Sequence, residues 1–138
     1  MPEPAPAEAE GQVIREGSPA MVLFNASKGT VLADQVTFAG SFGRRLRGWM
    51  GRASVGRGEA LVLMPCRSVH TWFMRFPIDV LFLAPDGEVV LTLPEIRPFC
   101  FGPYVPRAAM AVELPSGRLA ESRTAVGDRL VFRNEEER

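Results

Sequence analysis

The chain has one histidine, two cysteines and one tyrosine in 138 residues, and Lys28 is the only lysine among its 16 basic residues. Each scarcity removes a class of protein. Two cysteines, Cys66 and Cys100, are too few for a disulfide framework, and a domain of this size does not need one. Free, partly buried thiols in a reducing compartment are expected. One histidine rules out any multi-histidine metal centre. No apolar run approaches the ~20 residues of a membrane-crossing helix. Sixteen bases against 16 acids leave no overall field to draw nucleic acid or anionic lipid. The first twelve residues, MPEPAPAEAEGQ, lack the basic start and apolar run of a secretory signal, so a cytoplasmic location is expected.

What is present fits one domain. Residues 1–18 are rich in Pro, Ala and Glu, have little to bury, and are expected to be disordered. Residues 19–134 form the globular part, and 135–138 a frayed polar end. Strands are predicted over Met21–Ala26, Thr30–Phe38, Glu59–Met64, Ile78–Ala84, Glu88–Leu93, Ala108–Leu114 and Asp128–Arg133. Pro85-Asp86-Gly87, between two apolar runs, is the strongest hairpin signal. Pro94, Pro98, Pro103 and Pro106 predict an irregular loop over 94–106. Ser41 is a plausible N-cap for a short helix carrying Phe42, Leu46 and Trp49 on one stripe. Residues 116–125 have room for a helical turn. The expected fold is mainly β with one or two short helices, a compact sandwich or partial barrel.

The motifs that carry chemistry are fragmentary. Cys66-x-x-x-His70 with Cys100 resembles part of a zinc site, but no Cys-x-x-Cys pair accompanies it, and no metal or cofactor is expected. A cysteine nucleophile would have His70 as its only base, and the Gly-x-Ser-x-Gly elbow is absent. Gly51-x-x-x-x-Gly56-x-Gly58 lacks the Lys-Ser/Thr of a phosphate loop. Arg44, Arg45, Arg47, Arg52 and Arg57 make a local positive run without a stacking motif, which argues against nucleic acid. Asp79 and Glu113 each interrupt an apolar strand. A carboxylate there must be paired or hydrogen-bonded. The plainest reading has Asp79 held at the strand entrance by local hydrogen bonds, with His70 or Thr71 as further donors. It has Glu113 facing water or an arginine. Residues 72–77 and 99–104 are dense in aromatics, either as core plugs or as a pocket lining.

Taken in order, several short segments resemble the bacterial and archaeal domain-of-unknown-function 192 family. They are Arg47-Gly48-Trp49-Met50, with Trp49 where Leu is usual, then residues 58–63 and the long stretch from His70 to Phe82. Residues 86–90, Glu113-Leu114-Pro115-Ser116-Gly117 and Gly127-Asp128 follow. The resemblance implies a β-sandwich of jelly-roll type and carries no activity with it. The leading functional expectation is a non-enzymatic ligand-binding or accessory domain. Its pocket would be lined by Trp72, Phe73, Met74, Phe99 and Phe101, with His70, Thr71, Asp79 and Glu113 as polar contacts. The alternatives are a small hydrolase-like enzyme using His70 with Asp79 or Glu113, and a protein–protein interaction module. The expected partner is accordingly a small molecule or a protein, with no membrane involved.

Overall fold

A computed structural model describes residues 8–9, 12–13, 21–41, 43–44 and 48–134. Most of the expected N-terminal tail, and all of 135–138, lie outside these residues. Glu8–Ala9 (β1) and Gln12–Val13 (β2) pair as a short antiparallel ladder. The remaining strands are β3 (Met21–Asn25), β4 (Thr30–Ala33), β5 (Gln35–Ala39), β6 (Glu59–Leu63), β7 (Ile78–Leu83), β8 (Val89–Ile96), β9 (Met110–Pro115) and β10 (Leu130–Asn134). They form a three-stranded sheet, β10-β3-β4, and a five-stranded sheet, β5-β6-β9-β7-β8. The larger sheet is mixed, because β5 and β6 run parallel. In the smaller one, β3 and β10 are antiparallel partners from Met21 opposite Asn134 to Asn25 opposite Leu130.

The run expected as one strand over Thr30–Phe38 is two. It breaks at Asp34, where the N–H groups of Asp34 and Gln35 both donate to the Gly58 carbonyl, at 3.0 and 2.9 Å. A Cβ on Gly58 would collide with the Asp34 carboxylate, so glycine is what permits the approach. Leu32, Val36 and Phe38 keep their common parity and enter one core, although they sit in different sheets. Strand β8 also departs from expectation, running through Pro94 to Ile96. It is an edge strand, where a residue without an N–H breaks no ladder. The expected hairpin joins β7 to β8, with Gly87 at φ 91°. A Cβ there would lie 2.6 Å from the Leu130 carbonyl oxygen, so side-chain-free backbone is required twice over.

Strands β7 and β9 are buried on both faces, which explains their unbroken apolar character. One face of the large sheet packs on the small sheet through Leu81, Leu83, Val112, Leu23 and Leu130. The other face, with Leu61, Leu63, Val80, Phe82 and Ala111, is covered by loop residues Trp49, Val69, Met74, Val105 and Ala108. Of these, Val105 belongs to the proline-rich loop, so several loops share in covering this face. The helix expected after Ser41 lies partly outside the described residues, but its cap is present: Ser41 Oγ accepts from the Arg44 N–H at 3.3 Å. The turn expected over 116–125 is α1 (Arg118–Glu121).

Candidate functional site

Asp79 points into the core between the sheets, on the side of Leu81 and Leu83, and is fully buried. Its Oδ1 accepts from the Glu95 N–H at 2.8 Å. Its Oδ2 accepts from the N–H groups of Leu119 at 2.8 Å and Gly117 at 3.1 Å. The first N–H groups of a helix have no partner within it, and here the strand supplies one. The β7–β8 register shifts between Ile78 and Val80, and Glu95 adopts φ 52°, which turns its N–H onto the carboxylate. The structural reading of Asp79 stands, with a correction. Its donors are not local to the strand entrance: they lie 16, 38 and 40 residues away, in a bulge of β8 and at the start of α1, and are neither His70 nor Thr71.

Glu113 sits on the opposite face of the same sheet, between Leu61 of β6 and Val80 of β7. The expectation that it faces water or an arginine is overturned: it is buried, and among the described residues no cation meets it. Burial pushes its carboxyl up to about 8, opposed by a hydrogen bond from the Trp49 backbone N–H. Among the described residues its Oε1 has no hydrogen-bond partner. Gly48, at φ 51°, closes over it; a Cβ there would lie 3.1 Å from Oε2. Neither Gly48 nor Trp49 is identifiable as a Glu113 partner from local sequence, though both lie in the Arg47–Met50 segment of the family resemblance. Beyond them a cleft of about 260 Å³ opens, lined by Thr37, Leu61, Gly48, Trp49, Arg44 and Arg52 among others. None of the nine residues expected to form a pocket lines it.

Those residues separate into two groups. Met74 is buried as a core plug. Trp72, Phe73, Phe99 and Phe101 are 38%, 62%, 55% and 75% exposed. They are exposed and lie side by side. The Trp72 ring lies 5.4 Å from Phe99, 5.6 Å from Phe101 and 6.4 Å from Phe73. Phe73 and Phe99 adopt φ 64° and 63°, a region that costs a bulky residue energy and that clusters at functional positions.

Thr71 builds this face. Buried beneath it, its Oγ1 donates to the Arg97 carbonyl at 2.6 Å and accepts from the Cys100 N–H at 2.8 Å. Its backbone N–H donates to the Cys100 carbonyl at 2.8 Å, and its own carbonyl accepts from Phe99 at 2.9 Å and Met74 at 3.1 Å. One side chain and its peptide groups thus clamp the two aromatic loops together. His70 forms a bridge with Phe101, and its Nδ1 accepts from the Trp72 N–H at 3.2 Å. It therefore sits at the margin of the face, hydrogen-bonded to neither Asp79 nor Glu113. Among the described residues, Cys66 and Cys100 are not joined in a disulfide. Among the described residues no three His, Cys, Asp or Glu side chains gather as metal ligands. Of the arginine run, Arg52 forms a two-pronged pair with Glu59 at 3.0 and 3.2 Å, and Arg57 pairs with Glu121.

Residues 23–132 match the DUF192 family, described as Uncharacterized ACR. The chain belongs to the DUF192 family. Two archaeal relatives carry the name UPF0127 protein. That of Thermococcus sibiricus is 36% identical over 124 residues, spanning 85% of this chain and 78% of its own. That of Pyrococcus furiosus is 37% identical over 115 residues, 78% of this chain and 95% of its own. A crystal structure of a protein of unknown function from Novosphingobium aromaticivorans has the same fold. It is 18% identical, with a TM-score of 0.70 over 80% of this chain and 82% of that one. Among the described residues of this DUF192 chain, no helix is long and apolar enough to cross a membrane.

Proposed function

We propose that this DUF192 protein is a binding domain and that its recognition surface is the aromatic face of Trp72, Phe73, Phe99 and Phe101. One observation carries the reading. Four large rings are held outward in mutual contact, two of them in a costly backbone conformation, by a threonine clamp buried beneath. Exposed contiguous apolar surface of this kind marks interaction sites, and rigid aromatic anchors lose little entropy on binding. Met74, Thr71 and His70 support the face from below and beside it. Asp79 and Glu113 take no part as ligand contacts in this reading. A reducing, cytoplasmic setting goes with two cysteines that are not joined in a disulfide among the described residues.

Selection of peptides from a random displayed library on the purified chain tests this. The expected result is enrichment of a family of peptides whose affinity falls at least ~10-fold on Trp72→Ala, the loss of a single hot-spot anchor. Enriched peptides indifferent to Trp72→Ala and Phe101→Ala, or no enrichment at all, would overturn it.

A further inference from the structure

The surroundings of the aromatic face carry charge of one sign. Residues 64–77 and 97–109, the two loops that hold the rings, contain Arg67, Arg75, Arg97 and Arg107 and no acid. Arg107 is taken by Glu88, and Arg67 donates to the Pro106 carbonyl. Arg75 and Arg97 are exposed, and among the described residues neither guanidinium is in an ion pair or hydrogen bond. Of the acids that border the loops, Asp79 is buried between the sheets and Glu95 pairs with neither arginine.

The clamp that shapes the face also fixes the backbone of both arginines. Thr71 Oγ1 donates to the carbonyl of Arg97 itself, and the Thr71 carbonyl accepts from Met74, the residue before Arg75. Each arginine stands two residues from an exposed ring, Arg75 after Phe73 and Arg97 before Phe99. A purely apolar partner would leave two guanidiniums at its rim without acceptors, and a basic one would be repelled. The fitting partner offers apolar bulk to the rings and carboxylates to the arginines, whose planar fork suits them.

Two observations favour a peptide over a membrane surface. The rings rest edge against face, Trp72 and Phe99 at 89° and Phe73 and Phe99 at 70°, on a backbone that is left-handed at Phe73 and Phe99. Such fixed relief suits a partner of fixed shape, and a fluid bilayer gains nothing from it. Two uncommitted arginines are also fewer than the roughly four to eight basic residues of a cluster that reads anionic lipid.

We propose that the aromatic face binds a protein segment in which aromatic or long aliphatic side chains are flanked by Asp or Glu. The apolar side chains meet Trp72, Phe73, Phe99 and Phe101, and the carboxylates meet Arg75 and Arg97. The inference rests on the aromatic face being a recognition surface, and it names the class of partner. The rings supply most of the affinity, and the arginines select the sign of the partner's charge, since charge at a rim acts on specificity and association more than on strength.

Two displayed peptide libraries panned on the full chain test this. They share their apolar positions; the rest is drawn from Asp, Glu, Ser and Gly in one and from Lys, Arg, Ser and Gly in the other. The acidic library should yield binders that are lost on Trp72→Ala, and the basic library none. Combining Arg75→Glu with Arg97→Glu should weaken the tightest acidic binder about 5-fold, the scale of two exposed ion pairs. The same peptide with its acids replaced by Lys should prefer that variant to the parent, a gain that a misfolded variant could not give. Trp72-dependent binders arising equally from the basic library, or binding indifferent to the arginine reversals, would overturn this inference and leave the recognition face standing. Failure of both libraries to give a Trp72-dependent binder would remove the face as well. Vesicles of phosphatidylcholine and phosphatidylserine in equal parts should leave the chain in the supernatant; Trp72-dependent sedimentation with them would overturn the inference in favour of a membrane.

Discussion

Asp79 and Glu113 lie one residue out of step on neighbouring strands and point to opposite faces of a single sheet. Asp79 pairs across β7–β9 with Leu114, and Val80 with Glu113. Because side chains alternate along a strand, that single step sends one carboxylate into the core between the sheets and the other under the loops. They therefore cannot work as an acid–base couple, and their environments differ in kind. Asp79 has three backbone donors. Among the described residues Glu113 has one, and an oxygen with none.

Asp79→Ala strands three N–H groups in the interior and should lower stability by about 3 kcal/mol, the scale of losing a charged buried acceptor. Asp79→Asn should cost nearly as much, because its NH₂ group would face an N–H. A reduced urea midpoint at unchanged slope is the expected result. An unchanged midpoint for the alanine variant would show that the carboxylate does not hold α1 and β8 in place.

Glu113 should make the fold weaken as pH rises. Its folded-state value near 8 lies above the ordinary 4.5, so the folded protein holds a proton that the unfolded chain releases. Stability from this group is fully present below pH ~4.5, then declines by up to about 1.4 kcal/mol per pH unit toward pH ~8 before levelling. Glu113→Gln should remove that slope while keeping the fold. Denaturation curves for both proteins between pH 5 and 9 decide the matter. Equal pH dependence in the two would show that Glu113 is not the titrating group.

Thr71→Val keeps the shape of the side chain and deletes its hydroxyl. The Arg97 carbonyl and Cys100 N–H lose a partner, so stability should fall by roughly 1–3 kcal/mol. Loosening of the two loops should also increase acrylamide quenching of Trp72 relative to Trp49. A stable variant with unchanged quenching would mean that the backbone bonds alone hold the aromatic face.

Phe99→Gly removes an exposed ring from a residue at φ 63°. Relief of left-handed strain, about 1–2 kcal/mol for a non-glycine residue, should match or exceed the entropic cost of glycine. The thermal midpoint should hold or rise, while peptide binding at the face falls. A clear drop in midpoint would assign Phe99 to stability rather than recognition.

The strands were legible because burial leaves short apolar runs between turn residues, with a repeat of two in Thr30–Phe38, and the Pro85-Asp86-Gly87 turn because its chemistry is local. The break at Asp34 was not, since its cause, the Gly58 carbonyl, lies 24 residues along the chain. Pro94 misled for a related reason: a proline ends a strand unless that strand is an edge, and edge position is a property of the sheet. The nine expected site residues included the whole aromatic face, because aromatics in loops stand out in any sequence. They also included Asp79 and Glu113, which alternation alone could place on opposite faces only once the register of β7 against β9 was known. Gly48 and Trp49 were missed as Glu113 partners because contact across 65 and 64 residues leaves no local trace.

Met21 and Asn134, the outer ends of β3 and β10, face each other across the β3–β10 ladder. Opposed residues in such a ladder lie only about 5 Å apart at their Cα atoms. The polypeptide enters and leaves through one doorway. A domain of this kind can be spliced into a surface loop of a host protein without stretching the host, and its ends can be sealed by a short linker while new ends are opened elsewhere. The hairpin tip at Pro85-Asp86 is a natural place for the new opening, since both residues are exposed and Gly87, which must stay, follows them.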